Sequence, residues 1–586
     1  MKDSYKIWSR LLQRSYSVVS TAPGNLNSRS ERNNEDLEGG HISKGPSNES
    51  YCKSTFILGL AGLIVIAIGM LVMFVHPYEK IFNWKVLFTE GGEIFELWRA
   101  PPVDIYLRVH LFNITNAEEF MSGKEKLRVE EVGPYVYREI MSHENVTFNS
   151  NGTLSATPKH PLKWVPELSN GDHEKDQLIL PNIALLSIAE VVSKMSIFTR
   201  GALNIIISQT DTHPLVKMSP KEFMFGYEST LMTLGYRFLP NWIDFDKLGL
   251  IDRMYNFKGD YETVYTGEKD IAKAGLLDTY RGSTKLVQWN GYCGNIQNAS
   301  DGTKFSGGLD KNETIYFFRK SLCRAKPLVF VNTTVSSGLK GYVYKFEDNA
   351  LDNGKYLEKN KCFCKKGKCM PPGLLDVHEC YYGFPIALSY PHFLDADPSL
   401  MEMVDGLQPN RGKHGSYFVL QPESGLPLDL AVRYQINMAL SNVDSIVHTG
   451  KFSNMVIPML WTENRLYTLP PNLASRFQLY LNVLPLVVQA SLYISFTVGV
   501  IFITISLRKF AKSSRFPSNL RWSPPSMTVM ERKLSSYASE GRRRMSVKEM
   551  DTYYNDLMEP LNQTLDPLEP LKHHIHDEVN DDEDEE

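Results

Sequence analysis

The sequence predicts a membrane protein with two transmembrane helices and one large α+β domain between them. Three observations support this prediction: two apolar runs near the ends of the 586-residue chain, six of its seven cysteines between those runs, and six glycosylation triplets in the same interval. The overall composition adds little. Hydrophobic residues at 42% and charged residues at 22% are ordinary for a globular protein, and a net charge of -4 does not favour nucleic acid as a partner.

The two predicted spans are residues 56–75 and 484–507. The first has twenty residues and no charge, and as a helix of about 30 Å it crosses the hydrocarbon core of a bilayer. About fifty mostly polar residues precede it and no small-residue cleavage site follows it, so we interpret it as an uncleaved anchor and not as a signal peptide. The second contains Pro485 and Gln489 but no ionisable group apart from Tyr493, and a helical backbone tolerates these residues in lipid. A buried core helix is the alternative for each run.

Basic residues beside the second span predict the orientation, because such residues mark the cytoplasmic side of a membrane. Arg476 is the only one close before this span, whereas five follow it: Arg508, Lys509, Lys512, Arg515 and Arg521. The C-terminus is therefore predicted to be cytoplasmic, and with two spans the N-terminus lies on the same side. We expect residence in the plasma membrane, with the endosomal or lysosomal membrane as an alternative.

The interval 76–482 carries the marks of the secretory lumen. Six acceptor triplets for N-glycosylation lie in it, at Asn113, Asn145, Asn151, Asn298, Asn312 and Asn332. The two remaining triplets, at Asn48 and Asn562, fall in the predicted cytoplasmic tails and are expected to stay unmodified.

Six cysteines within 88 residues of this interval predict three disulfide bonds, since the lumen is oxidising. They are Cys293, Cys323, Cys362, Cys364, Cys369 and Cys380. A zinc site that includes His378 is the alternative, but the cysteine spacing is not typical of zinc knuckles and we expect no metal there. Cys52, at the cytoplasmic mouth of the first span, is a candidate for palmitoylation and could equally be a reduced thiol.

The two tails, residues 1–55 and 508–586, are predicted to be disordered. Residues 508–550 hold eleven Lys or Arg against three Glu, which suits the anionic inner leaflet, and the last ten residues hold eight acids. Tyr554 and Leu557 form a Tyr-X-X-apolar sequence of the kind that clathrin adaptors read, so these adaptors are candidate partners. Ser546 follows a pair of arginines and is a candidate phosphorylation site.

Within the interval, short β-rich segments alternate with turn residues and favour an antiparallel sheet or barrel. The clearest segments are 135–138, 341–346, 416–420 and 430–436. Helices are expected between residues 181 and 235, where 182–208 is a long apolar run and residues 219–222 form a capping box. Glu190, Lys194 and Arg200 argue against a third span in that run.

Several blocks of the interval together form a specific pattern. They are Pro101-Pro102 with Tyr106, LFNITN at 111–116, EVGPYVYRE at 131–139, Asp301-Gly302-Thr303 with Phe305, and Gly425, Pro427 and Arg433. In these blocks and in its cysteine spacing, the chain resembles the class B scavenger receptor family. That family includes fatty-acid and lipoprotein receptors, the lysosomal integral membrane protein and the insect sensory neuron membrane proteins.

The resemblance implies a fold and a set of disulfides. Cys293 would pair with Cys362, Cys323 with Cys380, and Cys364 with Cys369. The domain would have an antiparallel β-barrel core with an apical helical bundle, here residues 181–235, and a lipid tunnel leading from that apex toward the membrane.

The resemblance also implies a function, namely the capture of hydrophobic ligands and their passage to the membrane without chemical change. Fatty acids, sterols, carotenoids or lipoprotein lipid would be the ligands, and lipid-carrying proteins or particles the partners. No enzyme activity, catalytic residue or cofactor is expected. Candidates for the lipid entrance are Met195, Phe198, Leu203, Ile206 and Phe223, although aliphatic residues at helical spacing also suit a packed core.

One departure from the family limits this interpretation. Some members have lysines clustered at the apex, whereas residues 208–215 read SQTDTHPL here, which favours small ligands or a protein carrier over anionic lipoproteins. A docking or endocytic receptor without tunnel transport is the alternative.

A two-span ligand-gated channel is a more remote alternative, since the six cysteines are clustered and neither span has a charged residue. An ectoenzyme would need a catalytic motif, and no nucleophile elbow, HExxH or phosphate loop is present.

Overall fold

The computed structural model describes residues 48–513 except 232, 234–246, 365–368 and 382, and for 48–52 and 513 the backbone alone. The chain divides into two units, Met1–Leu507 and Arg508–Glu586. The first contains the whole domain between the spans. The described part of the second is the end of one helix.

Two described helices are long and apolar enough to cross a membrane, and they bracket the domain. The helices are α1 (Asn48–Val75), α2 (Pro77–Val86), α3 (Glu93–Arg99), α4 (Ala117–Ser122), α5 (Ile183–Val192), α6 (Ile197–Gln209), α7 (Pro220–Phe225), α8 (Leu250–Met254), α9 (Ser399–Glu402), α10 (Arg411–His414), α11 (Pro471–Gln478) and α12 (Leu484–Ser513). Both α1 and α12 leave most of their apolar side chains exposed, as helices in contact with lipid do.

Small residues bring the two spanning helices into contact. A Cβ atom added at Gly62 would lie 3.0 Å from the carbonyl oxygen of Gly499, so the two backbones touch at this point. Ser506 Oγ donates a hydrogen bond of 2.8 Å to the carbonyl oxygen of Thr55. Close approach through glycine and serine is the usual way in which helices associate in a membrane, where no hydrophobic force drives them together.

The domain between the spans is rich in β-structure. Its strands are β1 (Ile105–Ile114), β2 (Leu127–Glu139), β3 (Ser142–Phe148), β4 (Thr153–Lys159), β5 (Leu162–Trp164), β6 (Leu178–Pro181), β7 (Leu215–Met218), β8 (Tyr227–Glu228), β9 (Lys247–Leu248), β10 (Glu262–Tyr265), β11 (Leu277–Tyr280), β12 (Ala299–Ser300), β13 (Ile315–Arg319), β14 (Arg324–Ser336), β15 (Leu339–Phe346), β16 (Leu375–Asp376), β17 (Ile386–Ser389), β18 (Val404–Asp405), β19 (Tyr417–Leu420), β20 (Pro427–Ala439) and β21 (Val456–Leu466).

Thirteen of these strands form one sheet in the order β12-β13-β14-β15-β19-β20-β21-β1-β2-β18, with β17 beside β20, β16 beside β17 and β5 beside β2. The pairs are antiparallel except β12–β13 and β18–β2. Among the described residues this pairing runs from one edge to the other without closing, so these strands form an open series and no closed barrel. A second sheet has the order β11-β10-β4-β3.

The strands follow from the residue pattern. In β2 buried Leu127 and Val129 alternate with exposed Arg128 and Glu130, as expected for a strand with one solvated face. The central strand β20 is instead buried on both faces over most of its length, because its outer face is covered by other elements. The segments predicted as β-structure therefore lie in strands of the main sheet: β2, β15, β19 and β20.

The apolar run 182–208 forms two helices, α5 and α6, rather than one long helix. The side chain of Asn182 caps the N-terminus of α5, and that of Ser196 caps the N-terminus of α6, which starts a second helix within the run. Glu190 is buried and accepts hydrogen bonds from the backbone N–H and the hydroxyl of Ser441, at 2.8 Å each. This carboxylate thus attaches α5 to the loop after β20 and explains why a charge interrupts the run.

Three disulfides join the segments that connect the later strands. The structure links Cys293 to Cys362, Cys323 to Cys380, and Cys364 to Cys369. The first two close loops of 69 and 57 residues, and each would stabilise the fold by roughly 3–5 kcal/mol through the entropy of the unfolded chain. All six cysteines are therefore bonded to sulfur.

Candidate functional site

In the described part of the domain, four of the cavities are small and lie in series, and we name each by its position. The apical cavity is lined by Ile183, Leu248, Leu250, Arg253, Met254, Tyr381, Phe384, Ile386 and Ile436. The middle cavity is lined by Leu107, Ile251, Met254, Tyr255, Phe317, Arg319, Ser321, Leu322, Leu388, Val432, Tyr434, Ile436, Thr462 and Asn464. The lower cavity is lined by Leu97, Pro101, Pro102, Val103, Ile105, Met141, Gly302, Thr303, Leu426, Pro427, Leu430, Leu466, Leu469, Leu473 and Phe477. The membrane-proximal cavity is lined by Tyr78, Ile81, Phe82, Lys85, Val86, Glu93, Ile94, Ser424, Phe477, Tyr480, Leu481 and Leu484.

At two of the three junctions, neighbouring cavities share lining residues. Met254 and Ile436 line both the apical and the middle cavity. Phe477 lines both the lower and the membrane-proximal cavity. The series therefore begins at Ile183, the first residue of α5, and ends at Leu484, the first residue of α12.

The middle and lower cavities lie on the same face of the main sheet. Leu430 of β20 pairs with Leu466 of β21, and both line the lower cavity. Two residues further along each strand, Val432 pairs with Asn464, and both line the middle cavity. Since side chains at positions i and i+2 of a strand point to the same face, the two cavities are consecutive spaces along that face.

In this structure the four spaces are narrow and separate. Their volumes are about 20, 30, 60 and 30 Å³ from the apical to the membrane-proximal cavity. An open ligand pocket has roughly 300–1,000 Å³. An alkyl chain can therefore pass along the series only if the lining side chains move apart.

A buried polar network borders the middle cavity, and one of its residues, Glu139, pairs across β1 and β2 with Ile105, which lines the lower cavity. Its centre is Glu139 of β2, which is 1% exposed. The carboxylate accepts hydrogen bonds from Arg319 at 2.6 Å, from Asn464 at 2.8 Å and from the hydroxyl of Tyr255 at 3.1 Å. His160 Nδ1 lies 2.7 Å from it. We call these five residues the polar partition, and three of them line the middle cavity.

The residues around Glu139 in the polar partition favour the ionised form of its carboxylate. Burial raises the pKa of Glu139, but Arg319 and His160 outweigh burial and hold it at about 2. Burial lowers the pKa of His160 although Glu139 opposes this, so the imidazole is neutral at pH 7. Burial and the neighbouring carboxylate raise the pKa of Tyr255, which keeps its hydroxyl a donor. The result is one buried carboxylate with a complete set of donors and one guanidinium as its counter-charge.

A first histidine cluster lies elsewhere on the sheet, around Glu131. Its carboxylate oxygens lie 2.7 Å from His392 Nε2, 3.0 Å from His110 Nδ1 and 3.0 Å from Lys413 Nζ. His414 stacks on His392 with ring centroids 4.4 Å apart. Burial and the charges of its neighbours lower the pKa of His414 to about 4, so it stays neutral in mildly acidic conditions.

A second histidine cluster contains His143, Glu262 and Asp301. His143 Nε2 lies 2.9 Å from Glu262 Oε1 and 3.3 Å from Asp301 Oδ2. His143 Nδ1 lies 2.9 Å from the carbonyl oxygen of Trp98, whose indole stacks on the imidazole at 3.8 Å. Burial lowers the pKa of His143, but the two carboxylates outweigh burial and raise it to about 10.

The candidate entrance residues do not form one site. Phe198 and Met195 are 86% and 43% exposed, whereas Leu203 and Phe223 are 8% and 0% exposed and Ile206 is half-buried. None of the five lines the four cavities described above. The exposed pair is at the start of α6, on apolar surface that includes Ile197.

The glycosylation acceptors lie at the surface. Asn145, Asn151, Asn298, Asn312 and Asn332 are exposed, and Asn113 is half-buried with its Oδ1 accepting a hydrogen bond from the backbone of Ile179. Their modification stays a prediction. The side chains of Cys52 and Asn48 lie outside the described residues, as do Ser546, Tyr554, Leu557 and Asn562.

Sequence reasoning missed the cavity lining and the polar partition. Glu139 lies in a recognised block, but its partner Arg319 is 180 residues away. The one local signal is that Glu139 directly follows the predicted segment 135–138 and lies two residues after Tyr137, so in a continued strand it lies on the same face as that buried residue. A charge at such a position indicates a buried partner without identifying it.

Comparisons with known proteins agree with this architecture. The family model described as CD36 family matches residues 59–510. Scavenger receptor class B member 1 of Sus scrofa is 31% identical over 407 residues, which cover 69% of this chain and 79% of the relative. Lysosome membrane protein 2 is 30% identical in both Rattus norvegicus and Homo sapiens, over 75% of this chain and 91% of the relative. Since the family match spans the domain and nearly all of both spans, the chain belongs to the CD36 family, the family of the class B scavenger receptors.

Proposed function

We propose that this protein is a receptor that captures hydrophobic ligands at its apex and passes them through the domain to the membrane. Fatty acids, sterols, carotenoids or lipoprotein lipid are the ligand classes. The observation that carries the proposal is the series of four cavities from α5 to α12. The two end pairs share Met254, Ile436 or Phe477, and the middle and lower cavities lie next to each other along β20 and β21.

The cavity walls have the chemistry that a lipid chain needs. The lower cavity is lined almost entirely by Leu, Pro, Val, Ile, Met and Phe side chains. Each methylene group that moves from water into such a lining gains about 0.8 kcal/mol. Transfer of lipid from a carrier docked at the apex into the domain would therefore lower the free energy once the four cavities open into one another.

The membrane end of the series supports delivery to the outer leaflet. One residue, His76, separates α1 from helix α2, which supplies Tyr78, Ile81 and Phe82 to the membrane-proximal cavity. On the same helix, Trp84 is 67% exposed. Tryptophan is typical of the interface between lipid and water, so α2 is suited to lie there with the cavity beside it.

The apex is suited to an uncharged partner. Ile197, Phe198 and Met195 present apolar surface. Lys194 is paired with Glu190 on α5, which removes one of the few cations near this surface. Small hydrophobic ligands or a protein carrier therefore fit this apex better than an anionic particle does.

A substitution at the junction of two cavities tests the proposal. Met254 is half-buried where the apical and middle cavities meet, so Met254→Trp should narrow the path without removing a fully buried side chain. Met401→Trp is the matched control, because Met401 is also half-buried and lines none of the four cavities. Cells that display each variant are compared for binding of a lipid carrier and for uptake of its labelled lipid.

The expected result is a severalfold loss of lipid uptake in Met254→Trp with carrier binding unchanged, and neither effect in Met401→Trp. Uptake and binding that fall together, or uptake that does not change, would leave a docking or endocytic receptor as the function. A bulky thiol reagent on Phe198→Cys gives a second test at the apex, since Phe198 is exposed and the six disulfide-bonded cysteines are unreactive.

A further inference from the structure

The second histidine cluster has features that the lipid path does not use. His143 lies on β3 and Glu262 on β10, and both strands pair with β4. His143 is opposite Pro158 and Glu262 is opposite Ala156, two residues apart on β4, so both side chains are on the same face. Asp301 follows β12 and completes the cluster beside the lower cavity without lining it.

The spacing of the three polar atoms suits a metal ion. His143 Nε2 is 2.9 Å from Glu262 Oε1 and 3.3 Å from Asp301 Oδ2, and one ligand atom from each residue lies within 4.8 Å of the other two. Ligands held at about 2.0–2.2 Å from a tetrahedral zinc ion are separated from one another by roughly 3.3–3.6 Å. The two distances from His143 Nε2 therefore need to lengthen only slightly to accommodate a shared ion.

The hydrogen bonding of His143 selects the tautomer that can bind a metal. Nδ1 faces the carbonyl oxygen of Trp98 and must donate to it, which leaves the lone pair of a neutral imidazole on Nε2. A metal-bound histidine usually donates its other N–H to a carbonyl or carboxylate in this way. In the first cluster the arrangement is the reverse, because Nδ1 of His392 and of His414 each accepts a backbone N–H at 3.0 Å. Their Nε2 atoms therefore carry the proton and cannot ligate.

A buried oxygen points into the site without a hydrogen-bonding partner. Glu262 is 4% exposed, and its Oε1, although 2.9 Å from His143 Nε2, makes no hydrogen bond. Two buried carboxylates beside one imidazole need cationic charge between them, since unpaired charge is costly in a buried place. A neutral imidazole, two carboxylates and a divalent cation sum to zero.

We infer that His143, Glu262 and Asp301 form a binding site for a divalent transition metal ion, with zinc as the ion that suits one nitrogen and two oxygen ligands in a tetrahedral arrangement. The ion takes the place of the proton on Nε2 and joins β3, β10 and the loop after β12. Asp301 is the most exposed of the three ligands, with a side chain that is 13% exposed, so the ion enters from its side. The role is structural and does not depend on the proposed lipid path.

Metal analysis of the purified full chain in detergent tests this inference. Zinc is measured by mass spectrometry after removal of metal with a chelator and re-equilibration with zinc, and cobalt is added separately for its visible absorption. His143→Lys is the informative variant, because lysine keeps a cation between the two carboxylates but supplies no imidazole ligand. His414→Gln is the matched control in the first cluster.

The expected result is about one zinc per chain and an unfolding temperature that falls on chelation. His143→Lys should fold, lose the zinc and show no response to the chelator, and Asp301→Asn should bind zinc at least about tenfold more weakly. His414→Gln should keep the zinc. If the wild-type chain holds no zinc after re-equilibration and the chelator leaves its unfolding temperature unchanged, the cluster is an ion pair only and the inference is wrong.

Discussion

Replacing Glu139 alone should destabilise the protein much more than replacing Glu139 and Arg319 together. Burial raises the pKa of Glu139, but Arg319 and His160 hold it at about 2 against an ordinary value of 4.5, a difference that corresponds to about 3 kcal/mol. Glu139→Leu also leaves the Arg319 guanidinium buried without its counter-charge, and breaking such a pair costs about 3–5 kcal/mol. The double variant Glu139→Leu with Arg319→Met buries no unpaired charge and should be within about 2 kcal/mol of wild type.

Unfolding of the four proteins of this cycle, measured at pH 7 in the same detergent, gives the coupling free energy between the two side chains. The pKa of Glu139 is lower in the folded chain than in the unfolded chain, so its stabilisation is complete above pH 4.5 and is lost as the pH falls toward 2. Measurements at pH 7 and pH 5 should therefore give the same coupling. Additive effects of the two single substitutions would refute the reasoning, since they would show that the two charges do not depend on each other.

The same double variant separates the structural role of the polar partition from a role in transport. If lipid passes from the middle to the lower cavity, removing the partition should raise lipid uptake severalfold, because the chain no longer has to displace hydrogen-bonded groups. Unchanged uptake with the predicted stability would show that the lipid takes another path.

Four further predictions concern other parts of the molecule. Glycosidase treatment should lower the apparent mass of the mature protein, and a glycan mapped to Asn562 would contradict the cytoplasmic C-terminus. Gly62→Leu should separate the spanning helices and reduce surface expression, because a side chain there meets the backbone of Gly499 at 3.0 Å; normal expression would show that this contact contributes little. The pKa of His414 is lowered to about 4 in the folded chain, so stability should fall as the pH drops from 6.5 toward 4, and less so in His414→Phe; equal pH dependence would rule His414 out as the cause. Tyr554→Ala should slow internalisation, and an unchanged rate would remove the sorting role of this tail.

Much of the architecture was predictable because it rests on local pattern. The two spans could be predicted from the length of each apolar run and its lack of charged residues. The family resemblance could be identified from contiguous blocks such as residues 131–139. The helices around residues 181–235 were predicted as a group, but the break between α5 and α6 was not, although Ser196 caps the start of α6. The predicted barrel is not closed among the described strands. The sequence could not settle this point, because the alternation of apolar and polar residues indicates that strands exist but does not show whether the last strand pairs with the first.

By itself the sequence indicated the class of molecule: two spans, a disulfide-bonded domain between them that carries predicted glycosylation acceptors, and membership of a receptor family. The tertiary structure decided which residues act together. The carboxylate of Glu139 meets Arg319 across 180 residues, and His143 meets Glu262 and Asp301 on neighbouring strands and a loop. Leu430 and Leu466 share a cavity wall only because their strands pair in that register. Local patterns report the face and period of one element, whereas a site depends on the register between elements, which is set when the whole core packs.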